Sequence, residues 1–167
     1  AHLEVIHAGD DALITSQISA ARRWIEAVCE RALMPQVWRL NLDAFQTVIE
    51  LPGGLVRVVN LVQYTDFAGE TQTLAAGLYQ TDLDRQPARL LSAARTCWPA
   101  TDAVVNAVRI EYQVGYANAG AVPEELKAAL KLIVGDIYAN REAQQDLQLY
   151  SNTTVDRLLW PYRRVII

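Results

Sequence analysis

Residue types that do chemistry are sparse in this chain, and their spacing decides what they can be. Its two histidines, His2 and His7, both precede the first segment with a clear structural period, so no general base is evident in an ordered element. The nearest approach to a metal site is a pair of aspartates, Asp10 with Asp11 or Asp82 with Asp84, which could offer oxygen ligands to Mg²⁺ in a metal-dependent nuclease. Each pair has a plainer explanation. The first stands where a helix N-cap belongs, and the second stands in a turn that favours Asp.

No His-Glu-x-x-His, phosphate-binding Gly-rich loop or Gly-x-Ser-x-Gly elbow occurs, and Pro52-Gly53-Gly54 leads into a strand-like run rather than a helix, so it reads as a turn. Cys29 and Cys97 lack metal-ligand spacing and lie in apolar surroundings, which predicts two reduced, buried thiols. The pairs Arg22-Arg23 and Arg163-Arg164 lack the basic, aromatic-rich stripe of a nucleic-acid module. In a ring they could line a channel that double-stranded DNA crosses without being read. These residues predict no catalysis, no cofactor and no metal.

Composition points the same way. The 167 residues carry 15 basic and 19 acidic side chains, a net charge of −4, which supplies no general attraction to nucleic acid or anionic membrane. An apolar share of 51% suffices for one ordinary core, so a single domain over 1–167 is expected. Every apolar run is broken by a charge or a glycine well short of the roughly 18 residues a membrane helix needs. Ala1-His2-Leu3-Glu4 shows neither a basic leader nor an apolar signal core, so no secretion is implied. Lys127 and Lys131 are the only lysines. The bias to Arg suits protein contacts, where its planar fork pairs with carboxylates, and equally suits a genome rich in G and C.

The elements that must position these residues follow from periodicity. Ile14, Ile18, Ala21, Ile25, Val28, Cys29 and Ala32 fall on one face of a helix over residues 11–32, closed by Met34-Pro35. Its other face carries Arg22, Glu26 and Glu30. Trp24 lies on the flank, as a core-edge residue or as a contact for another subunit. Beyond Pro35 the period becomes two, with Trp38, Leu40 and Leu42 on one side and Arg39, Asn41 and Asp43 on the other.

Short strand-like runs follow at 47–51, 55–64, 71–74, 78–81 and 88–91, parted by turn residues, and then a long strand at 107–114. In the turn at 66–69, Asp66 can bind the backbone and Gly69 can take positive φ. A second helix opens at Pro123 with the stripe Leu126, Leu130, Ile133, Val134, Ile137 and Tyr138. A polar, Gln-rich loop spans 143–152, and a short helix capped by Thr153 or Thr154 ends before Pro161. The expected class is α+β: a long N-terminal helix, a small antiparallel β-meander, then two C-terminal helices packed against it.

The order of these segments resembles the head-tail connector proteins of tailed bacteriophages over nearly the whole chain. The residues that carry the resemblance are Leu33-Met34-Pro35-Gln36-Val37-Trp38, the Leu51-Pro52-Gly53-Gly54 turn, the Val-rich strand to Tyr64, the turn at 66–69 and Thr73-Leu74 with Tyr79. Further on come Cys97-Trp98-Pro99, Asn106-Ala107-Val108, Gly115-Tyr116, Val122-Pro123, Tyr138, Asn140-Arg141-Glu142 and Leu158-Leu159-Trp160-Pro161-Tyr162-Arg163. The sequence departs from the pattern in its Gln-rich loop and in Trp160, where a smaller residue is usual.

The resemblance implies a virion component at the capsid-tail junction, made and assembled in the bacterial cytoplasm. It would form a ring of about twelve copies in the particle, between the portal protein and the tail or stopper protein, and would extend the DNA channel, with the free protein either a monomer or an oligomer. A tail-completion or tail-tube-end protein of the same particle is the alternative. The residues expected at the portal or a neighbouring subunit are Trp160, Tyr162, Arg163, Arg164, Val165, Ile166 and Ile167. Trp24, Arg22, Arg23, Gln144, Gln145, Leu147, Leu149 and Tyr150 are expected at a further subunit contact, with the loop 143–152 ordering on assembly.

Overall fold

The structure is a computed structural model that describes residues 11–94, 96–139 and 153–163. The chain divides into two compact units, one of residues Ala1–Leu33 with Ala119–Ile167 and the other Met34–Asn118. The expected α+β class holds, with an N-terminal helix, antiparallel sheets and two C-terminal helices.

The first unit is helical. Helix α1 (Asp11–Cys29) buries Gln17, Ala21, Ile25 and Cys29. The expected stripe is therefore recovered from Ala21 onward, whereas Ile18 near the start is exposed and Gln17 takes the inward position.

The helix stops earlier than Met34-Pro35. Glu30 adopts φ 47°, and the Arg31 and Glu30 amides donate to the carbonyls of Glu26 (3.0 Å) and Ala27 (3.4 Å), a Schellman closure that satisfies the last free carbonyls. The Glu26 carboxylate accepts from the Leu33 amide at 2.9 Å, and Ala32 and Leu33 are buried just beyond the end. Helix α2 (Glu124–Ala139) buries Leu126, Ala129 and Val134, and its first turn carries a Glu124–Lys127 ion pair at 2.8 Å. Lys127 holds the Glu124 carboxyl below its usual range. Helix α3 (Thr153–Leu159) buries Val155 and Leu159. It ends before Pro161, as expected, and a separate 3-10 turn over Trp160–Tyr162 follows and takes in the proline. No helix among the described residues is long and apolar enough to cross a membrane.

The second unit is built of β-strands, with one 3-10 turn at Ala76–Leu78 among the described residues. The strands β1 (Gln36–Leu42), β2 (Val48–Leu51), β3 (Val56–Thr65), β4 (Thr71–Thr73), β5 (Tyr79–Asp82), β6 (Ala88–Ser92) and β7 (Val108–Val114) match the expected runs within a residue or two. They form two sheets instead of one meander: β1-β7-β3-β4 and β2-β6-β5, antiparallel throughout.

The centre of the larger sheet is β7. Its alternation puts Val108, Ile110, Tyr112 and Val114 in the core, between β1 on one side and β3 on the other. Burial pushes the Tyr112 phenol up to about 12. Strand β3 loses its alternation because its register slips twice against β7, between Val56 and Val58 and between Val59 and Leu61. In the smaller sheet Ile49 pairs with Leu90 and Leu51 with Ala88, and all four are buried.

Candidate assembly interface

The helical unit brings three of the expected interface residues into one corner. With Leu159 fully buried and Trp160 next in the chain, the 3-10 turn points Trp160 to solvent, 69% exposed. The following residues are held by their own chain. The Tyr162 hydroxyl donates to a Glu125 carboxylate oxygen at 3.1 Å, and the Arg31 guanidinium lies 5.7 Å from the centre of the Tyr162 ring. Arg163 donates to Asp156 at 2.7 Å.

Beneath this corner lies Cys29, whose thiol is pushed up by burial against the opposing pull of Arg163 and Arg31. The tail thus starts as a braced turn with Trp160 at its apex. Arg164, Val165, Ile166 and Ile167 lie outside the described residues, as do Gln144, Gln145, Leu147, Leu149, Tyr150, both histidines and Asp10.

On α1, Arg22 pairs with Glu26 at 3.8 Å, Arg23 is exposed, and Trp24 is 45% exposed on the flank of the buried stripe. Leu13 lies eleven residues earlier, about 20° away around the helix, so it shares that flank. Trp24 is thus an exposed aromatic side chain beside the buried stripe of α1.

The β unit presents a surface for which the sequence offered only indirect signals. At one end of the larger sheet the Thr65 amide donates to the Ala107 carbonyl (2.8 Å), and the Thr65 carbonyl accepts from the Asp102 amide (3.0 Å). This binds the segment 102–107 beside the 66–70 turn. Asp43 at the end of β1 accepts from the Asn106 amide at 2.8 Å, and Asn106 takes φ 57° to reach it.

As expected, Asp66 organises the turn, accepting from the Ala68 and Glu70 amides (2.9 and 3.0 Å) and from Gln72 Nε2 (2.9 Å). The Gln72 bond, then the Glu70 and Ala68 amides, hold its carboxyl below the usual range. Phe45, stacked on Trp98 at 4.7 Å and tilted against Tyr64 at 5.8 Å, braces the same end. From this frame Phe67, Val104 and Val105 project into solvent, 75%, 42% and 78% exposed. Phe67 in a four-residue turn, and two valines between Asp102 and Asn106, were the available signals: apolar residues with no element to bury them.

Of the candidate metal ligands, Asp82 is engaged in an ion pair. Asp82 sits directly opposite Arg89 across β5 and β6 and pairs with it at 2.8 Å. Among the described residues no group of three or more His, Cys, Asp or Glu could hold a metal ion. Cys29 is buried as expected. Cys97 is exposed, contrary to expectation, because it lies in the irregular segment between β6 and β7 instead of on a packed strand.

Comparison with known proteins places this architecture among the parts of one kind of particle. No protein-family model matches the sequence, and no curated protein matches it. Solved chains of a gene transfer agent particle do match. One, from the virion of a native gene transfer agent particle, shares 25% identity at a TM-score of 0.81, over 99% of this chain and 87% of its own. A second, from the neck of the native particle computed with C12 symmetry, shares 26% identity at a TM-score of 0.77, over 93% and 84%. A third, from the neck of an empty particle computed with C6 symmetry, shares 27% identity at a TM-score of 0.79, over 99% and 85%.

Proposed function

We propose that this chain is a structural protein of a virion neck, a ring-forming adaptor between the portal vertex and the tail or stopper protein that extends the DNA channel. What carries the reading is the likeness to a neck chain, at a TM-score of 0.79 over 99% of this sequence and 27% identity. A ring of twelve copies follows the C12 symmetry of the neck to which another similar chain belongs. The protein works by association, without turnover. Exposed aromatic and aliphatic side chains on braced turns suit that role, since rigid apolar anchors lose little freedom when they are covered.

The tail run 162–167 and the loop 143–152 serve as contacts with the portal or a neighbouring subunit, and DNA passes the ring without sequence reading. The Tyr162 and Arg163 contacts then set the direction in which the tail leaves the body.

The test is reconstitution. Purified protein is added to DNA-filled, portal-bearing heads that lack it, and the particles are imaged. A ring of about twelve copies at the vertex is the expected result. Failure to bind, or binding only at the far end of a tail, would overturn the reading. Deleting residues 163–167 should leave the protein folded but unable to join the heads. Mg²⁺-dependent DNA cleavage that disappears with Asp82→Ala would replace the adaptor reading by a nuclease.

A further inference from the structure

A ring contact between identical subunits is heterologous: each copy offers two different surfaces, and these must complement each other. The three most exposed large hydrophobic side chains among the described residues are Val105, Phe67 and Trp160. They fall on two separate surfaces, the sheet end of the β unit and the tail corner of the helical unit. The two surfaces differ in charge. The segments that build the sheet end, residues 41–45, 64–71 and 101–108, contain Asp43, Asp66, Glu70 and Asp102 and not one Lys or Arg. The first basic residue inward is Arg109, opposite Asn41 and Gln63. At the tail corner, exposed Arg157 precedes Trp160 by three residues, a spacing that puts both on one side of the α3 and 3-10 turn. The acid nearest in sequence, Asp156, is taken by Arg163.

We infer that Trp160 and Arg157 of one copy seat against Phe67, Val104 and Val105 at the acidic sheet end of the next copy. This rests on the ring-forming reading above. Charge complementarity within the chain selects a second copy as the occupant. The aromatic knob covers the apolar side chains, and the guanidinium meets the carboxylates at their rim. Both surfaces are held in place before contact, one by the bonds to Asp66 and Thr65, the other by Tyr162 and Arg163. The contact also directs growth, because a knob and a sheet end on each copy leave one of each free until the ring closes.

The experiment uses assembled particles carrying the full chain with Arg157→Lys. The chain has only two native lysines, Lys127 and Lys131, so zero-length carbodiimide coupling of amines to carboxylates has a low background. With isotopically labelled and unlabelled copies mixed in one ring, mass spectrometry should find the new amine joined to Glu70, Asp66, Asp102 or Asp43 of a different copy. Rings that form without such a crosslink, or with it only inside single copies, would overturn the inference and leave the adaptor reading intact. Heads that stay bare even with the unmodified protein would remove the adaptor reading, and the inference with it. In parallel, Arg157→Glu should lower ring occupancy about tenfold, as loss of one interface anchor does. Adding Glu70→Lys to the same chain should restore it. Undiminished occupancy with Arg157→Glu, or a deficit that Glu70→Lys does not repair, would count against the contact.

Discussion

Two tight turns of the β unit contain glycine at positive φ, yet they do opposite work. At Pro52-Gly53-Gly54, Gly53 has φ 107°, and a Cβ there would lie 2.9 Å from the Trp38 ring and 3.0 Å from Val114. The missing side chain is needed by the core, which closes over the backbone. At the 66–70 turn, Gly69 has φ 79° with open space around the position a Cβ would take. There only the backbone angle matters. The turn is organised by the Asp66 carboxylate, and the large residue at its tip faces water. The first turn completes a packed interior, whereas the second displays a side chain. Similar turn residues thus mark sites with different tolerance to change, and packing distinguishes them where composition cannot.

The contrast can be broken most severely at Gly53. Gly53→Ala combines backbone strain with overlap against Trp38 and Val114, and should destabilise by about 3 kcal/mol in urea unfolding, from the sum of overpacking and left-handed strain. Gly69→Ala meets no neighbour, so only the conformational penalty applies, about 1 kcal/mol by the same measurement. Equal losses at the two sites would erase the distinction.

Asp66→Asn should speed hydrogen exchange at the Ala68 and Glu70 amides with little change elsewhere. Because the folded state holds the Asp66 carboxyl below its ordinary value, its contribution is present above about pH 4 and is lost as the pH falls through the depressed folded value. The wild-type turn should therefore loosen at strongly acid pH, and Asp66→Asn should remove that dependence. Phe67→Ser comes last, with unfolding changed by no more than about 0.5 kcal/mol, as for surface positions generally. Its effect should appear only in ring occupancy on the particle.

Much of the secondary structure was legible because it is local. Strict alternation from Val108 to Val114 marked the strand that became the sheet's centre, and Asp66 with Gly69 marked a turn that the structure bears out bond by bond. What was not legible depends on partners distant in the chain. That β7 lies between β1 and β3, joining Arg39 to Glu111 across 72 positions, cannot be read from alternation, which reports faces and not neighbours. The register slips of β3 hid its pattern, and a seven-strand run looked like one meander when it was two sheets.

The early end of α1 was missed for a similar reason. Pro35 was the visible breaker, while the actual stop is a left-handed Glu30 closed by backbone bonds. At the tail, Trp160 could be singled out by its type and place. The fate of Tyr162 was set by Glu125 and Arg31, 37 positions away in one case and across a different helix in the other.

Strand β1 stands at the margin of its sheet, paired with β7 on one side only. A bare strand margin is a template on which further chains can stack into fibres. Here Pro35, which has no amide to donate, immediately precedes the strand, and the Arg39–Glu111 pair puts charge on its exposed face. Such features hinder endless edge-to-edge stacking. They act as a storage condition: at high concentration, copies can accumulate without polymerising on one another through this margin.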